Sequence, residues 1–125
     1  MITLFLTIIA GILNAAMDSI AMKYNKSIFP KLFPTKDQFF NPLVSWKNKY
    51  KNGDPAQGPK FFGSTTFLAF TTDAWHLFKT SMLTLLFIGA VCYSPIIYPV
   101  LDVILFYIAF GTTFELFWSK IFING

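Results

Sequence analysis

Apolar residues fill three stretches of this chain of 125 residues, at about 2–22, 74–94 and 97–121. A helix rises about 1.5 Å per residue, and roughly 20 helical residues cross the hydrocarbon core of a bilayer. Each stretch is long enough to do so, and the third is apolar almost throughout. The pattern therefore predicts an all-α integral membrane protein, a single domain over residues 1–125, with three transmembrane helices.

The first stretch also has the length of a secretory signal peptide, but it lacks the other marks of one. A signal peptide carries basic residues ahead of its apolar region, and here no basic residue precedes Lys23. No small-x-small cleavage site leads into a polar start either. We therefore expect a retained transmembrane helix.

Residues at the ends of the second and third stretches predict where the helices begin and end. Thr71 or Thr72 has the side chain of an N-cap, and Pro95 cannot continue a helix. Pro99 suits the first turn of the third helix. Because only a few residues link the two helices, we expect them to form an antiparallel hairpin.

The amino-acid composition is typical of a membrane protein, and it limits the classes of partner that we expect. Hydrophobic residues make up 54% of the chain and charged residues 13%, with a mean hydropathy of +0.54. A soluble domain carries about a quarter charged residues. All ten basic residues are lysines, so the chain lacks the arginine fork that binds phosphate and guanine bidentately. We expect membrane lipids as partners, and no nucleic acid.

Lysines are concentrated between the first two helices. Residues 23–73 contain eight lysines against three aspartates, whereas the N-terminus and the 94–99 turn contain no lysine. The positive-inside rule then places the long loop and the C-terminus inside and the N-terminus outside, in an inner or plasma membrane.

The long loop is too rich in aromatic residues for a solvated tether. Asn41 and Pro42 resemble an N-cap followed by proline at N1, and Thr35 and Gln38 have the spacing of a capping box. We expect a short amphipathic helix at 42–51, lying on the membrane interface or packed on its own protein. The residues predicted to contact lipid or a partner are Trp46, Lys47, Lys49, Tyr50 and Lys51.

Two further parts of the loop limit its function. Residues 53–60 nearly spell a phosphate-binding loop, but Pro55 and Pro59 remove amide donors and Phe61 replaces the Ser or Thr that binds Mg²⁺, so we expect no nucleotide. Residues 61–72 are apolar but too short to span a bilayer. They are an interfacial segment, a re-entrant turn or an extension of the second helix.

Charged side chains inside the apolar stretches mark a candidate site, because charge is costly in a membrane. From the predicted topology, Asp18, Lys79 and Glu115 share one depth near the inner interface, with Asp73 and His76 just below. One interpretation is a structural network in which Lys79 neutralises a carboxylate and His76 bonds Asp73. The other is an active site.

As an active site, these residues divide into two overlapping sets. The candidate catalytic residues are Asp18, His76, Lys79 and Glu115, as general bases or as a cation for developing negative charge. The candidate metal ligands are Asp18, Asp73, His76 and Glu115, whose donors suit zinc, manganese or iron.

Three functions fit these observations. The first is a non-enzymatic accessory or scaffolding subunit, with no cofactor, that engages lipid or a protein partner through its basic aromatic loop. The second is a small metal-dependent enzyme acting on a lipid-like substrate at the inner interface. The third is a holin-like pore. A chain with three spans has little internal surface for its polar groups, so we also expect a homo-oligomer or a larger complex.

Overall fold

The structure, a computed structural model, describes residues 1–123, and every regular element among them is helical. The three long helices are α1 (Ile2–Lys23), α5 (Ala74–Val91) and α6 (Pro99–Leu116). Each is long and apolar enough to cross a membrane, which confirms the prediction of three such helices. Pro99 begins α6, as expected.

Three short α-helices and five 3-10 turns occupy the long loop, and a π-helical turn follows α6. The short α-helices are α2 (Phe29–Leu32), α3 (Asp37–Phe40) and α4 (Pro42–Ser45). The 3-10 turns of the loop include Tyr24–Lys26, Trp46–Lys49, Pro55–Gln57 and Ala69–Thr71, and a π-helical turn, Phe117–Phe122, continues α6.

Helix α1 lies between the other two long helices and packs against both. The short link predicted an antiparallel hairpin of α5 and α6, but the main packing neighbour of each of these helices is α1. A short connection keeps the adjoining ends of two helices close, but it does not determine whether another helix packs between them. Here α1 does so, and an open apolar groove of about 590 Å³ remains between α5 and α6 near their connecting turn.

Small residues let α1 approach its neighbours closely. A Cβ atom on Gly11 would lie 2.9 Å from the carbonyl oxygen of Phe110 in α6, so this crossing requires glycine. On the opposite neighbour, the Thr3 hydroxyl donates a 2.7 Å hydrogen bond to the carbonyl oxygen of Gly89 in α5. Close backbone approach over small residues is the usual way in which apolar helices associate in lipid.

The long loop folds over one end of the bundle, which we call the loop end; the opposite end, at residues 92–98, is the turn end. Phe29 is the centre of this contact and is 6% exposed. Its ring lies 5.4 Å from Phe40, 5.9 Å from Phe78 of α5 and 5.5 Å from Phe122 at the end of α6. The loop is therefore part of the packed structure and links all three long helices.

Three expectations about helix ends need correction. Neither Thr71 nor Thr72 caps α5; Asp73 does, by accepting a 2.7 Å hydrogen bond from the His76 amide. The Thr35–Gln38 capping box is absent, because α3 begins at Asp37 without a side-chain cap.

The expected single helix at 42–51 is also corrected. Asn41 caps its start as predicted, accepting a 3.0 Å hydrogen bond from the Leu43 amide. The α-helix ends at Ser45, a 3-10 turn follows, and Tyr50 is extended. The buried Ser45 sits where the geometry changes, and Tyr50 instead pairs with Pro59 in an isolated bridge.

Candidate functional site

The side chains at 43–50 present an apolar surface that the rest of the chain does not cover. Leu43 is 77% exposed and Trp46 is 41% exposed. The Trp46 indole Nε1 donates a 3.1 Å hydrogen bond to the Leu43 carbonyl, which fixes the ring over α4. Tyr50 stands edge-on to Trp46 with ring centres 6.2 Å apart. The aromatic side of this segment therefore faces away from the protein.

Lysines lie directly over these rings. The Nζ atom of Lys47 is 5.6 Å from the Trp46 ring centre, and that of Lys49 is 5.6 Å from the Tyr50 ring centre. These distances fall within the range of cation–π attraction. Lys51 is exposed. The structure therefore groups the five predicted contact residues as alternating cations and aromatic rings on one short segment.

None of the eight loop lysines forms an ion pair within residues 1–123, where the one ion pair joins Asp73 and His76. The three loop aspartates have other partners. Asp37 accepts from the Asn41 amide group at 3.3 Å, and Asp54 accepts from the Ala56 backbone at 3.0 Å. The positive charge of the loop is therefore left uncompensated by nearby carboxylates.

The segment 61–72 is a compact turn and not an extension of α5, because Asp73 caps α5 after it. Gly63 has φ +82°, and a Cβ there would meet the Phe67 ring at 2.8 Å, so glycine is needed. Phe62 and Phe67 pack edge-on with ring centres 5.8 Å apart, and they are 86% and 63% exposed. The turn thus carries a second exposed aromatic surface on the loop.

The polar cluster expected inside the helices is only partly assembled. Lys79 forms no ion pair with Asp18 or Glu115 within the described residues. It is exposed, with its Nζ atom 5.0 Å from the ring centre of Trp75, and Glu115 is exposed on α6. Asp18 is half-buried on α1. Equal depth along three helices does not bring these side chains to the same face.

Asp73 and His76 do come together. The His76 Nδ1 atom lies 2.8 Å from each carboxylate oxygen of Asp73, and the carboxylate also caps α5. Asp73 is buried, whereas the His76 side chain is 35% exposed. The carboxylate therefore orients an imidazole whose Nε2 points away from the pair, at the loop end of α5.

The metal hypothesis gains no support from the geometry. Across residues 1–123 the structure has no group of three or more His, Cys, Asp and Glu side chains suited to hold a metal ion. Of the four predicted ligands, Asp73 and His76 are the two that meet. Because a single histidine and a carboxylate form an incomplete ligand set, zinc, manganese or iron binding stays a prediction from the sequence.

Asp102 is held by three hydrogen bonds, and this role was not predicted. It is fully buried at the turn end, where it accepts hydrogen bonds from the amides of Ile96 and Ile97 at 2.9 and 3.0 Å. The Tyr93 hydroxyl donates a third bond of 2.6 Å, which raises the pKa of Tyr93 to about 12. An aspartate a few residues after a proline-initiated helix start is the signal that sequence reasoning had available.

Comparison with protein-family models, with curated proteins and with solved structures finds no match to this chain.

Proposed function

We propose that this chain is a non-enzymatic scaffolding subunit that spans a membrane three times and engages anionic lipid with its long loop. The observation that carries the proposal is the loop surface: its lysines have no carboxylate partner in the described residues, and aromatic side chains beside them are exposed. Aromatic rings favour the headgroup level, and each lysine near an anionic leaflet contributes about 1 kcal/mol.

The same features give the orientation. The loop and the C-terminus lie on the cytoplasmic side, and the N-terminus and the turn end lie outside, because lysines are retained inside. The α4 surface of Leu43 and Trp46 and the Phe62–Phe67 turn rest among the headgroups. Most of α6 is uncovered by the chain, with Tyr107 81% exposed, so a second copy or another membrane protein packs on it.

Trp46 reports directly on this interaction. In the W75F/W118F variant it is the single remaining tryptophan, and its emission is measured in nanodiscs of phosphatidylglycerol or phosphatidylcholine. We expect a shorter emission wavelength in the anionic discs, because attraction of the loop lysines draws the ring into the headgroups. Equal emission in both lipids would contradict the proposal.

A lysine triple variant adds the specificity control. Changing Lys47, Lys49 and Lys51 to glutamine is expected to abolish the lipid-dependent shift of Trp46. Changing Lys23, Lys26 and Lys31 to glutamine removes the same charge from the stretch between the end of α1 and the end of α2, and we expect most of the shift to persist.

A second candidate is proton-transfer catalysis at His76, which the Asp73 pair favours. A carboxylate that fixes one imidazole nitrogen leaves the other free to act as a general base. The test is turnover of a total lipid extract by the purified chain, followed by mass spectrometry. Products made by the wild type and absent with a folded His76→Ala variant would favour this candidate over the scaffold.

A further inference from the structure

The long loop contains a polar cavity of about 400 Å³ with two lysines in its wall. Lys36 and Lys60 line it, together with the hydroxyl-bearing Thr35, Thr71 and Thr72. No carboxylate is among its lining residues. A second cavity of about 450 Å³ adjoins it, shares Lys60 and adds Lys47. Three lysines thus line the two cavities, and no carboxylate is among the lining residues of either.

The wall between the two cavities is held by side-chain amides. Asn48 donates 2.8 Å hydrogen bonds to the carbonyl oxygens of Gln38 and Thr72, and Gln38 donates a 2.7 Å bond back to Asn48. Through Asn48 these bonds link α3 to Thr72, which lies 24 residues after Asn48 and just before α5. The cavity is therefore a formed part of the fold, and its position does not depend on a bound molecule.

The lysines of the cavity are available to a ligand. Both Lys36 and Lys60 are exposed, and neither forms an ion pair within residues 1–123. The two acidic residues nearest in sequence, Asp37 and Asp54, are engaged by Asn41 and by the Ala56 amide. The Thr71 and Thr72 hydroxyls donate to the carbonyl oxygens of Leu68 and Ala69, which leaves the Thr35 hydroxyl beside the lysines. Two ammonium groups beside this hydroxyl suit a phosphate group, for which lysine acts as a point charge.

From this arrangement we propose that the Lys36–Lys60 cavity binds the phosphate of an anionic phospholipid headgroup. Phe61 lines the same cavity and is 43% exposed, and the Phe62–Phe67 turn follows it directly. Apolar surface adjoining a phosphate pocket matches an amphiphile better than a free ion, because acyl chains leave the headgroup along it. The inference rests on the proposed function, and it assigns the lipid-binding site of the loop to the Lys36–Lys60 cavity.

Native mass spectrometry of the full chain in a mild neutral detergent tests the assignment. Phosphatidylglycerol and phosphatidylcholine are titrated separately, and the affinity of the first bound lipid is measured. We expect the wild type to prefer phosphatidylglycerol, and the K36Q/K60Q variant to bind it at least about tenfold more weakly, because two charge-assisted contacts are lost.

The matched control is K26Q/K31Q, which removes the same charge from exposed loop lysines outside both cavities. We expect its affinity to change by about twofold or less. Thermal melting followed by circular dichroism verifies that both double variants remain folded.

Three results would overturn the inference, and they separate it from the proposed function. Equal loss in the two double variants would mean diffuse attraction to the loop, which removes the cavity site and leaves the proposed function standing. Equal affinity of the wild type for the two lipids would contradict both the cavity site and the proposed function. Displacement of phosphatidylglycerol by millimolar inorganic phosphate would assign the cavity to free phosphate and remove the lipid assignment.

Discussion

At the scale of single residues, the buried Asp102 shows how one carboxylate shapes the turn end. Its carboxylate accepts hydrogen bonds from two backbone amides and from the Tyr93 hydroxyl. These bonds stabilise a turn that contains Pro95 and Pro99 and has few backbone hydrogen bonds of its own. The bond also favours the neutral form of Tyr93, because an ionised phenol would face the carboxylate. This gives the pair a measurable pH dependence.

Tyr93 is expected to ionise near pH 12, against about 10 for an unfolded tyrosine. Since its pKa is raised on folding, the stability it contributes is present below about pH 10 and is lost as the pH rises towards about 12. The measurement is tyrosinate absorbance after a rapid pH jump, as the difference between wild type and Tyr93→Phe.

The Asp102→Asn variant should return this titration towards about pH 10, because the negative charge that opposes ionisation is removed. Glu115→Gln makes the same chemical change in α6 without contact to Tyr93 and is expected to leave it in place. If the pKa of Tyr93 were the same in the Asp102→Asn variant as in the wild type, the hydrogen bond between Tyr93 and Asp102 would not be formed.

At the scale of helices, the crossing of α1 and α6 depends on Gly11. The carbonyl oxygen of Phe110 belongs to the α6 backbone, so it cannot move aside for a new methyl group as a side chain would. Alanine at position 11 must push the helices apart, which we expect to cost about 1–3 kcal/mol of unfolding free energy, as for an overpacked core.

Gly111 supplies the matched control in α6. A Cβ there would meet nothing within 4 Å. Gly111→Ala is therefore expected to be neutral or to stabilise the chain by up to about 1 kcal/mol, through helix propensity. Unfolding in mixed micelles compares the two variants. Equal behaviour of the two alanines would contradict close packing of α1 on α6.

At the scale of the whole molecule, the prediction concerns orientation. Cys92 is the single cysteine, is exposed and lies at the turn end. A membrane-impermeant maleimide added to intact cells should label it, because the proposed topology places the lysine-poor turn end outside. In the Cys92→Ser variant with Ala56→Cys in the loop, labelling is expected after permeabilisation and not before. The reverse pattern would mean that the topology is inverted.

The sequence by itself determined the three long helices, because continuous apolar stretches of that length have no other stable backbone arrangement in lipid. The excess of lysine in the loop is likewise a property of the sequence alone. The proline that begins α6 and the Asn41 cap were predictable because each depends only on residues within one or two helical turns. The predicted contact residues Trp46, Lys47 and Lys49 belong to this local class, and the structure keeps them on one segment.

Tertiary structure decided which faces meet. The short link between α5 and α6 predicted a hairpin, but it did not predict that α1 lies between them and packs on both through Gly11 and Thr3. Depth along a helix predicted a cluster of Asp18, Lys79 and Glu115, but these side chains form no ion pair within residues 1–123, and Lys79 and Glu115 are exposed. The Phe29 contacts and the Lys36–Lys60 cavity likewise join residues that are distant in sequence. Such contacts are fixed by packing, and no local pattern encodes them.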